Sequence, residues 1–370
     1  MKRCVRCVLP DTTPGIHLDA EGVCSRCRDY RPIVYRGEAA LVKALESFRN
    51  PENPYDCCVA VSGGRDSMYA LLRVVKDYGL RTLAVNYANP FTHPQAVRNM
   101  KNGTRRLGVD MIRIEPRAAS WNRTFLSNLR AWLRRPSLAM IPMLCVQCRT
   151  MDWDIARVAG RHGVRHIVTG SSAIQDTPFI SALAHVSANA SFSGSIVRSA
   201  PRVLLAMLRT PRYLNPLCLP VLAKSYLVAL LLAMGPRWLG LHVTKMGVFS
   251  FIKWCEEEVT TRVTNELDWD YPHDTNQPQR FDCPVAYLKN YIYWSALGMC
   301  KMDEYYAAMV REGAMSRADA LHRLEQDSRF NDQRLSAVLE QTGNDVSDVL
   351  PRLKQAAAML RRQTDESAAS

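Results

Sequence analysis

The sequence predicts an α/β protein with a doubly wound parallel sheet, an N-terminal zinc ribbon, a helical insert and a helical C-terminal region. One observation is the alternation of short apolar runs with stretches of helical periodicity between Tyr55 and Thr169. Another is the length of those helical stretches, about ten residues or more, as connections between parallel strands require. A glycine-rich turn directly follows the first apolar run, and such sheets bind ligands beyond the carboxyl ends of their strands.

The elements of this region follow from local patterns. The first strand is a short apolar run in which Cys57 and Cys58 are expected to be core residues. Gly79 and Gly108 end the first two helices. The predicted strands are Cys57–Val61, Thr82–Asn86, Asp110–Ile114 and Arg165–Thr169. The predicted helices are Asp66–Tyr78, Pro94–Leu107, Trp121–Leu133 and Thr150–His162.

Composition divides the chain into four parts: a head at 1–50, the α/β domain at 51–178, an insert at 179–255 and a C-terminal region at 256–370. The insert is apolar and basic and carries no strand signal from Phe179 to about Phe249. Pro51 and Pro54 separate the head from the main domain. Helices are predicted outside the α/β domain at Glu38–Arg49, Tyr287–Gly298, Met302–Arg311 and Arg317–Asp327.

Charge and cysteine content limit the class of protein. Hydrophobic residues make up 47% of the chain, which excludes a disordered protein, and the net charge of +13 favours an anionic partner. Nucleotides, nucleotide-sugars, RNA and an anionic membrane all fit that charge. The twelve cysteines and the absence of an apolar leader at Met1 indicate the reducing cytoplasm.

One apolar run, from Pro216 to Gly235, is about as long as a membrane span. Lys224 stands in its middle, and a central lysine is costly in lipid. Pro216 and Pro220 interrupt its first half. The sequence therefore favours a buried or interfacial helix at about Lys224–Met234, and a true membrane span is the alternative. An interfacial helix would place a cytoplasmic protein in peripheral contact with the inner face of the membrane.

The turn after the first strand consists of Ser62, Gly63, Gly64, Arg65, Asp66 and Ser67. Glycines permit a tight turn, and the next helix directs its unpaired N–H groups and positive dipole end at it, which makes an anion site. The hydroxyls of the two serines add hydrogen-bond donors, and Arg65 adds a cation for phosphate oxygens. The carboxylate of Asp66 is expected to orient a backbone N–H group or a Mg²⁺ ion. The alternative is an ordinary turn, because the loop lacks the Gly-Lys-Ser/Thr ending of a Walker loop.

Two cysteine pairs in the head have the spacing of a zinc ribbon. Cys4 and Cys7 form one C-x2-C pair and Cys24 and Cys27 the other, about 16 residues apart. Four thiolates complete a closed tetrahedral site, so we expect a structural Zn²⁺ ion. The alternative is four unrelated buried cysteines.

A third C-x2-C pair, Cys145 and Cys148, precedes a helix on the strand-end side of the predicted sheet. A helix N-terminus lowers thiol pKa values, so these residues are candidates for reactive thiolates or iron–sulfur ligands. A structural pair in the core is the alternative. Cys255 and Cys283 complete a site there if the fold brings them near.

The motif Ser-Gly-Gly-x-Asp-Ser after an apolar strand resembles the signature of the PP-loop ATP pyrophosphatases. That resemblance implies a HUP-like fold, ATP and Mg²⁺, and cleavage of ATP between the α and β phosphates to adenylate a substrate. Many members have Lys at the position of Arg65, and Arg keeps the charge with a different geometry. The segment Thr169–Ser172, which contains Gly170, is a candidate for a second wall of the nucleotide site, and an ordinary strand-to-helix turn is the alternative.

The head also resembles the N-acetyl sugar amidotransferases of bacterial surface-polysaccharide biosynthesis, which includes lipopolysaccharide O-antigen. The resemblance rests on Cys7–Thr12, Pro14–Ile16, the Cys145/Cys148 pair and Phe281–Lys289. It implies AMP-forming replacement of an N-acetyl oxygen by ammonia-derived nitrogen, on a nucleotide-linked or lipid-linked sugar. A separate glutaminase would deliver the ammonia. Asp270 and Asp282 are candidate contacts to the sugar or ammonia, although the sequence favours ordinary surface or capping carboxylates at both positions. The insert has no match in the family pattern.

A rival interpretation is a sulfur transferase that modifies RNA, since those enzymes also join zinc ribbons to a PP-loop and a central C-x2-C pair. Cys145 and Cys148 would then carry sulfur or bind a cluster. The arginines that would contact phosphates are Arg105, Arg106, Arg130, Arg134 and Arg135. A zinc-dependent scaffold with an inactive loop is the non-enzymatic alternative, and the intact Ser62, Asp66 and Ser67 argue against it.

Overall fold

The fold is an α/β arrangement around a single five-stranded, all-parallel sheet, as the sequence predicts. A computed structural model describes residues 1–184, 192–234, 243–272 and 281–369. The strands are β1 Cys57–Ala60, β2 Thr82–Tyr87, β3 Asp110–Ile114, β4 His166–Thr169 and β5 Thr244–Gly247. Their order in the sheet is β3-β2-β1-β4-β5, so the chain reverses direction across the sheet between β1 and β4.

Strand β1 lies at the centre of the sheet and is buried on both faces. Cys58 pairs with Leu83 of β2 and with Ile167 of β4. Cys57 and Val59 belong to one core and Cys58 to the core on the other face, because successive side chains alternate. The prediction that Cys57 and Cys58 are core residues is confirmed, since both are fully buried.

Helices follow the sequence pattern closely, with small shifts at their ends. The first group comprises α1 Ser25–Arg28, α2 Glu38–Glu46, α3 Arg65–Leu72, α4 Pro94–Leu107, α5 Ala118–Arg134 and α6 Met151–Arg161. The second group comprises α7 Pro178–Leu183, α8 Phe192–Arg209, α9 Leu219–Met234, α10 Glu256–Leu267 and α11 Val285–Leu297. The last helices are α12 Lys301–Arg311, α13 Arg317–Asp327, α14 Asp332–Gln341 and α15 Val346–Ala369.

Two predictions of secondary structure are wrong in part. The helix predicted at Asp66–Tyr78 ends as an α-helix at Leu72 and continues as a π-helix over Arg73–Asp77. The segment predicted to lack strands contains β5, which pairs in parallel with β4. The strand was missed because Lys245 and Gly247 interrupt any apolar run, and an edge strand does not require a continuous one.

The N-terminal head is clamped to helix α12 by buried ion pairs. Arg3 contacts the Asp303 carboxylate at 2.7 Å, and Arg26 contacts Glu304. Both carboxylates are 1% exposed. Arg317 donates from Nε to the carbonyl oxygen of Cys7 at 2.9 Å. The head and the C-terminal region therefore stabilise one another, since each buried carboxylate depends on a guanidinium from the head.

The apolar run of the insert forms helix α9 within a hairpin with α8. Leu222, Val228 and Ala229 are buried, whereas Leu227 and Leu230 are exposed. Within the described ranges, no helix has both the length and the apolar content that crossing a membrane demands. Gly235, the last residue of the run, lies outside those ranges.

Candidate functional site

The Ser62–Ser67 loop lies where β1 ends and α3 begins, at the point of chain reversal between β1 and β4. Gly63 has φ +80°, a left-handed conformation that favours glycine. A Cβ atom at this position would lie 2.1 Å from the carbonyl oxygen of Ala96 in α4. The loop therefore sits directly on the backbone of α4, and only glycine permits that approach.

The turn after β4 closes on the same loop. A Cβ atom at Gly170 would lie 2.2 Å from the carbonyl oxygen of Asp66 and 2.8 Å from the backbone nitrogen of Ser67. Glycine at this position thus brings two backbone segments into direct contact. The crevice at the carboxyl ends of β1 and β4 is where ligands bind in open α/β sheets.

Hydrogen bonds within the loop fix its two serines. The Ser67 hydroxyl donates to the carbonyl oxygen of Gly64 at 2.9 Å and accepts from the backbone N–H of Ser62 at 3.1 Å. The backbone N–H of Gly64 donates to the Ser62 hydroxyl at 3.3 Å. The loop is therefore organised by its own side chains, which lowers the cost of ordering it around an anion.

The Asp66 carboxylate is held on both of its oxygens. Trp254 donates from Nε1 to Oδ1 at 3.1 Å, and Arg65 donates from Nε to the same oxygen at 3.2 Å. Gln175, in the turn after β4, donates to Oδ2. Asp66 thereby joins the loop, the turn after β4 and the segment before α10.

Arg65 is buried and points toward the C-terminal region. Its Nη1 donates to Glu256 Oε1 at 2.8 Å and to the Tyr271 hydroxyl at 3.0 Å, and its guanidinium lies 5.0 Å from the centre of the Trp254 ring. Burial opposes the charged form, yet the pKa of Arg65 is raised because Asp66, Tyr271 and Glu256 face it. These contacts hold Arg65 against the C-terminal region, whereas the sequence predicted that it would bind phosphate oxygens.

Removal of the Glu256 carboxylate tests this arrangement. We expect Glu256→Ala to lower the free energy of unfolding by about 3 kcal/mol, because it takes a partner from the buried Arg65 guanidinium. Urea titration followed by circular dichroism measures the change. The matched control is Glu325→Ala, whose carboxylate pairs with Arg329 at the surface, and we expect a loss below about 1 kcal/mol. Equal losses in the two variants would contradict this assignment.

The C-terminal region also contacts the loop backbone. Trp269 donates from Nε1 to the carbonyl oxygen of Gly63 at 2.9 Å. Asn99 donates from Nδ2 to the same oxygen at 3.3 Å and to the carbonyl oxygen of Asp270 at 2.9 Å. The residues after α10 therefore fix the glycine turn from outside the α/β domain.

The four cysteines of the head form a compact buried cluster. The sulfur atoms of Cys4, Cys7, Cys24 and Cys27 all lie within 4.8 Å of one another. Hydrogen bonds with Cys27 and Cys7 lower the pKa of Cys24 to about 2, whereas the hydrogen bond with Cys24 raises the pKa of Cys7. This donor set and the closeness of its four sulfur atoms fit a metal ion such as zinc.

The third cysteine pair lies in a 3-10 segment, Leu138–Thr150, directly before α6. Cys148 is exposed and lies near Tyr87, a half-buried residue at the end of β2. Burial, with the neighbouring Cys145 as the second cause, raises the pKa of Cys283 to about 12. Cys283 therefore lies near enough to Cys145 for the two thiols to interact electrostatically. Among the described residues, these cysteines do not form a mononuclear metal cluster.

Cys255 lies at the N-cap of α10 and is exposed. We expect iodoacetamide to alkylate Cys148 and Cys255 in the native protein within minutes to hours, while Cys57 and Cys58 react only after unfolding. Burial raises the pKa of both strand cysteines to about 12, so they stay neutral and shielded at neutral pH. Mass spectrometry of tryptic peptides measures the order of labelling. Labelling of the strand pair at the rate of Cys148 would contradict the structure.

A cavity of about 430 Å³ lies between parts of the head, α12 and the turn after β4. Its lining includes Tyr30, Arg31, Ile174 and Arg311. Ile174 directly precedes Gln175, whose side chain bonds to Asp66. The cavity has the volume of a small-molecule site, and one residue of its lining directly precedes a residue that contacts the loop.

The other candidates from the sequence have structural contacts. The Asp270 carboxylate accepts from the backbone N–H of Tyr271 at 2.8 Å, and the carbonyl oxygen of Asp282 accepts from the backbone N–H of His93 at 3.3 Å. Arg106 lies 3.6 Å from Asp268.

Four residues of the site carry no motif in the sequence. They are Gln175, Trp254, Glu256 and Trp269, which contact the loop from beyond the α/β core. Only the occurrence of two tryptophans around α10 hints at them, and buried tryptophan is common in any core.

Comparison with known proteins leaves the family open. No family model matches the chain. An uncharacterized protein of Methanocaldococcus jannaschii is 24% identical to it over 173 residues, which are 45% of this chain and 58% of that protein. The chain therefore spans less than two thirds of that relative's length, and the relative assigns no activity.

Proposed function

We propose that this protein is an ATP-dependent, AMP-forming amidotransferase of the PP-loop type that converts the N-acetyl group of a sugar to an acetamidino group. The observation that carries the proposal is the contact between the Ser62–Ser67 loop and Gly170 at the point of chain reversal. Two backbone turns and a helix N-terminus converge there, which suits a polyphosphate. The motif in the loop supports ATP as that polyphosphate.

The proposed reaction has two steps. The acetamido oxygen attacks the α phosphorus of ATP, the bond between the α and β phosphates breaks, and pyrophosphate leaves. Ammonia then adds to the imidate carbon, the carbon–oxygen bond breaks, and AMP leaves with the former amide oxygen. The product is the protonated acetamidine. Neither step requires a protein nucleophile, so positioning and electrostatic stabilisation carry the catalysis.

The residues of the loop take distinct roles in this proposal. Backbone N–H groups at the start of α3, with the hydroxyl of Ser62, bind phosphate oxygens. The Ser67 hydroxyl, which donates to the carbonyl oxygen of Gly64, orders the turn around them. Arg65 and Asp66 act as positioning residues, because their side chains are already hydrogen-bonded within the protein. Arg65 donates to Glu256. Asp66 accepts from Trp254 and Gln175. Asp66 therefore does not fit the role of a Mg²⁺ ligand in this arrangement, and Mg²⁺ would enter bound to the phosphates of ATP.

The choice of a sugar and of ammonia as substrates rests on the resemblance of the head to the N-acetyl sugar amidotransferases. The sugar would be nucleotide-linked or lipid-linked, and the cavity between the head and α12 is the proposed place for it, since polar and apolar side chains line it together. A separate glutaminase would supply ammonia. A structural Zn²⁺ ion in the Cys4 to Cys27 cluster would hold the wall of that cavity that contains Ser25 and Arg26.

Nucleotide products test the proposal. Purified protein receives ATP, Mg²⁺, ammonium chloride and a panel of nucleotide-linked and lipid-linked N-acetyl sugars. We expect AMP and pyrophosphate, and only with an acceptor sugar present. ADP and phosphate as products, or AMP formed equally without any acceptor, would overturn the proposal.

The second candidate is a tRNA-thiolation type sulfur transferase, and the closeness of Cys145 to Cys283 favours it. In that reaction the cysteines would carry sulfur or bind an iron–sulfur cluster. Copurifying tRNA, or a brown protein with iron and labile sulfide, would favour this candidate. Full activity of Cys145→Ser with free ammonia would favour the amidotransferase.

A further inference from the structure

The hairpin of α8 and α9 presents apolar side chains to solvent. Leu204 and Leu208 of α8 are 55% and 58% exposed, and Leu227 and Leu230 of α9 are 56% and 43% exposed. On each helix these leucines stand three or four residues apart, so they form one stripe along the helix. Single exposed leucines are ordinary, but here both packed helices of the hairpin carry such a stripe, which gives this part of the surface an apolar character.

Charge sets this part of the chain apart from the rest. No acidic residue occurs between Asp176 and Glu256, so every side chain there with a full charge at neutral pH is Lys or Arg. Arg198 and Arg209 are exposed on α8 beside the leucine stripe. Leucine and arginine in adjacent rows of a helix are typical of helices that lie in the interface of an anionic bilayer.

A second cationic feature lies where the hairpin turns. A cavity of about 430 Å³ between α5 and the turn is lined by Arg123, Arg130 and Arg212. Ser127 and Asn215 add polar groups to its wall. In the described part of the chain, no carboxylate forms an ion pair with any of these three arginines. The cavity therefore offers uncompensated positive charge of the kind that a phosphate headgroup neutralises.

The inner side of the hairpin packs against the segment Leu138–Thr150. Tyr226 of α9 donates from its hydroxyl to Met143 Sδ at 3.6 Å, and the Arg149 guanidinium lies 5.2 Å from the centre of the Tyr226 ring. Met143 and Arg149 belong to the segment that carries Cys145 and Cys148. One side of α9 thus covers that segment while the other side carries exposed leucines.

We infer that the α8–α9 hairpin is a docking surface for an anionic phospholipid bilayer, with the exposed leucines in the acyl boundary and the arginine cavity at headgroup level. The charge pattern selects this occupant over an acidic protein, because a lipid surface uses apolar and cationic groups together over a broad face. The inference rests on the hairpin and on the arginine cavity beside α5, and it does not depend on the proposed activity.

Vesicle cosedimentation of the full chain tests it. The probes are phosphatidylcholine vesicles and vesicles in which about a third of the lipid is phosphatidylglycerol. We expect at least about tenfold tighter binding to the anionic vesicles, weakened by salt. Equal binding to both vesicles, or none to either, would overturn the inference.

Variants separate the apolar and cationic parts. The combined change Leu204→Glu, Leu208→Glu and Leu227→Glu should abolish binding, and Arg123→Gln with Arg212→Gln should weaken it about fivefold for each arginine. The matched control is Val34→Glu with Met359→Glu, which alters exposed apolar residues elsewhere and should leave binding intact. Binding that survives the leucine changes would contradict the inference. So would a dimer of the wild-type chain that those changes dissociate while vesicles stay unbound.

Discussion

Loss of one cysteine from the head should cost the protein its metal and much of its stability. We expect Cys7→Ser to release the metal and to unfold the head, because a closed four-thiolate site contributes on the order of 10 kcal/mol of folding free energy. The effect should spread to α12, since Asp303 and Glu304 would then lie buried without Arg3 and Arg26. Metal analysis, thermal unfolding and limited proteolysis measure the three consequences.

A buried cysteine outside the cluster provides the control. Cys58 is fully buried in β1 and contributes no ligand to the cluster. Cys58→Ala should therefore retain about one zinc per chain and lose only the stability that a small core cavity removes. A wild-type protein without metal, or a Cys7→Ser variant with a full complement, would refute the four-thiolate site.

Alanine at Gly170 should abolish the proposed activity. The added Cβ atom would lie 2.2 Å from the carbonyl oxygen of Asp66. That oxygen is a backbone atom and the Cβ atom is fixed to the backbone, so neither can rotate away. The turn after β4 and the Ser62–Ser67 loop must then separate by the better part of an ångström. Because a displacement of that size costs about a hundredfold in rate, we expect Gly170→Ala to reduce AMP formation by about a hundredfold or more.

The control for this substitution is Gly160→Ala. Gly160 lies in α6, and nothing stands within 4 Å of the position of an added Cβ atom. Alanine there should raise the stability of the helix by up to about 1 kcal/mol and leave AMP formation unchanged. Initial rates and thermal unfolding of both variants decide the point. Wild-type rates in Gly170→Ala would show that the contact between the two turns is not part of the nucleotide site.

Local patterns predicted most of the fold because they are strong where the chain is regular. β3 and α13 begin and end at the predicted residues, and α4 does as well. Buried parallel strands have continuous apolar runs, and helices have capping residues and glycine stops, so each signal is local. β5 was not predicted, because this edge strand of four residues carries no such run.

The site was predictable only for the part that one segment of sequence supplies. The loop, the four head cysteines and the glycine after β4 lie in short motifs whose residue types and spacing indicate a binding site. Glu256 and Trp254 reach the loop from almost two hundred residues away along the chain. Their role depends on tertiary packing, which no local pattern records. The same packing turned Arg65 from an expected phosphate ligand toward Glu256 and Tyr271.

The central claim is that ATP activates the acetamido oxygen of the substrate by adenylation, and the fate of that oxygen tests it most directly. An acceptor sugar labelled with ¹⁸O in its acetyl carbonyl is incubated with the protein, ATP and ammonia. Mass spectrometry then follows the label. The proposed mechanism predicts one ¹⁸O atom in the phosphate of each AMP formed. Unlabelled AMP, with the label in water or retained in the sugar, would contradict it.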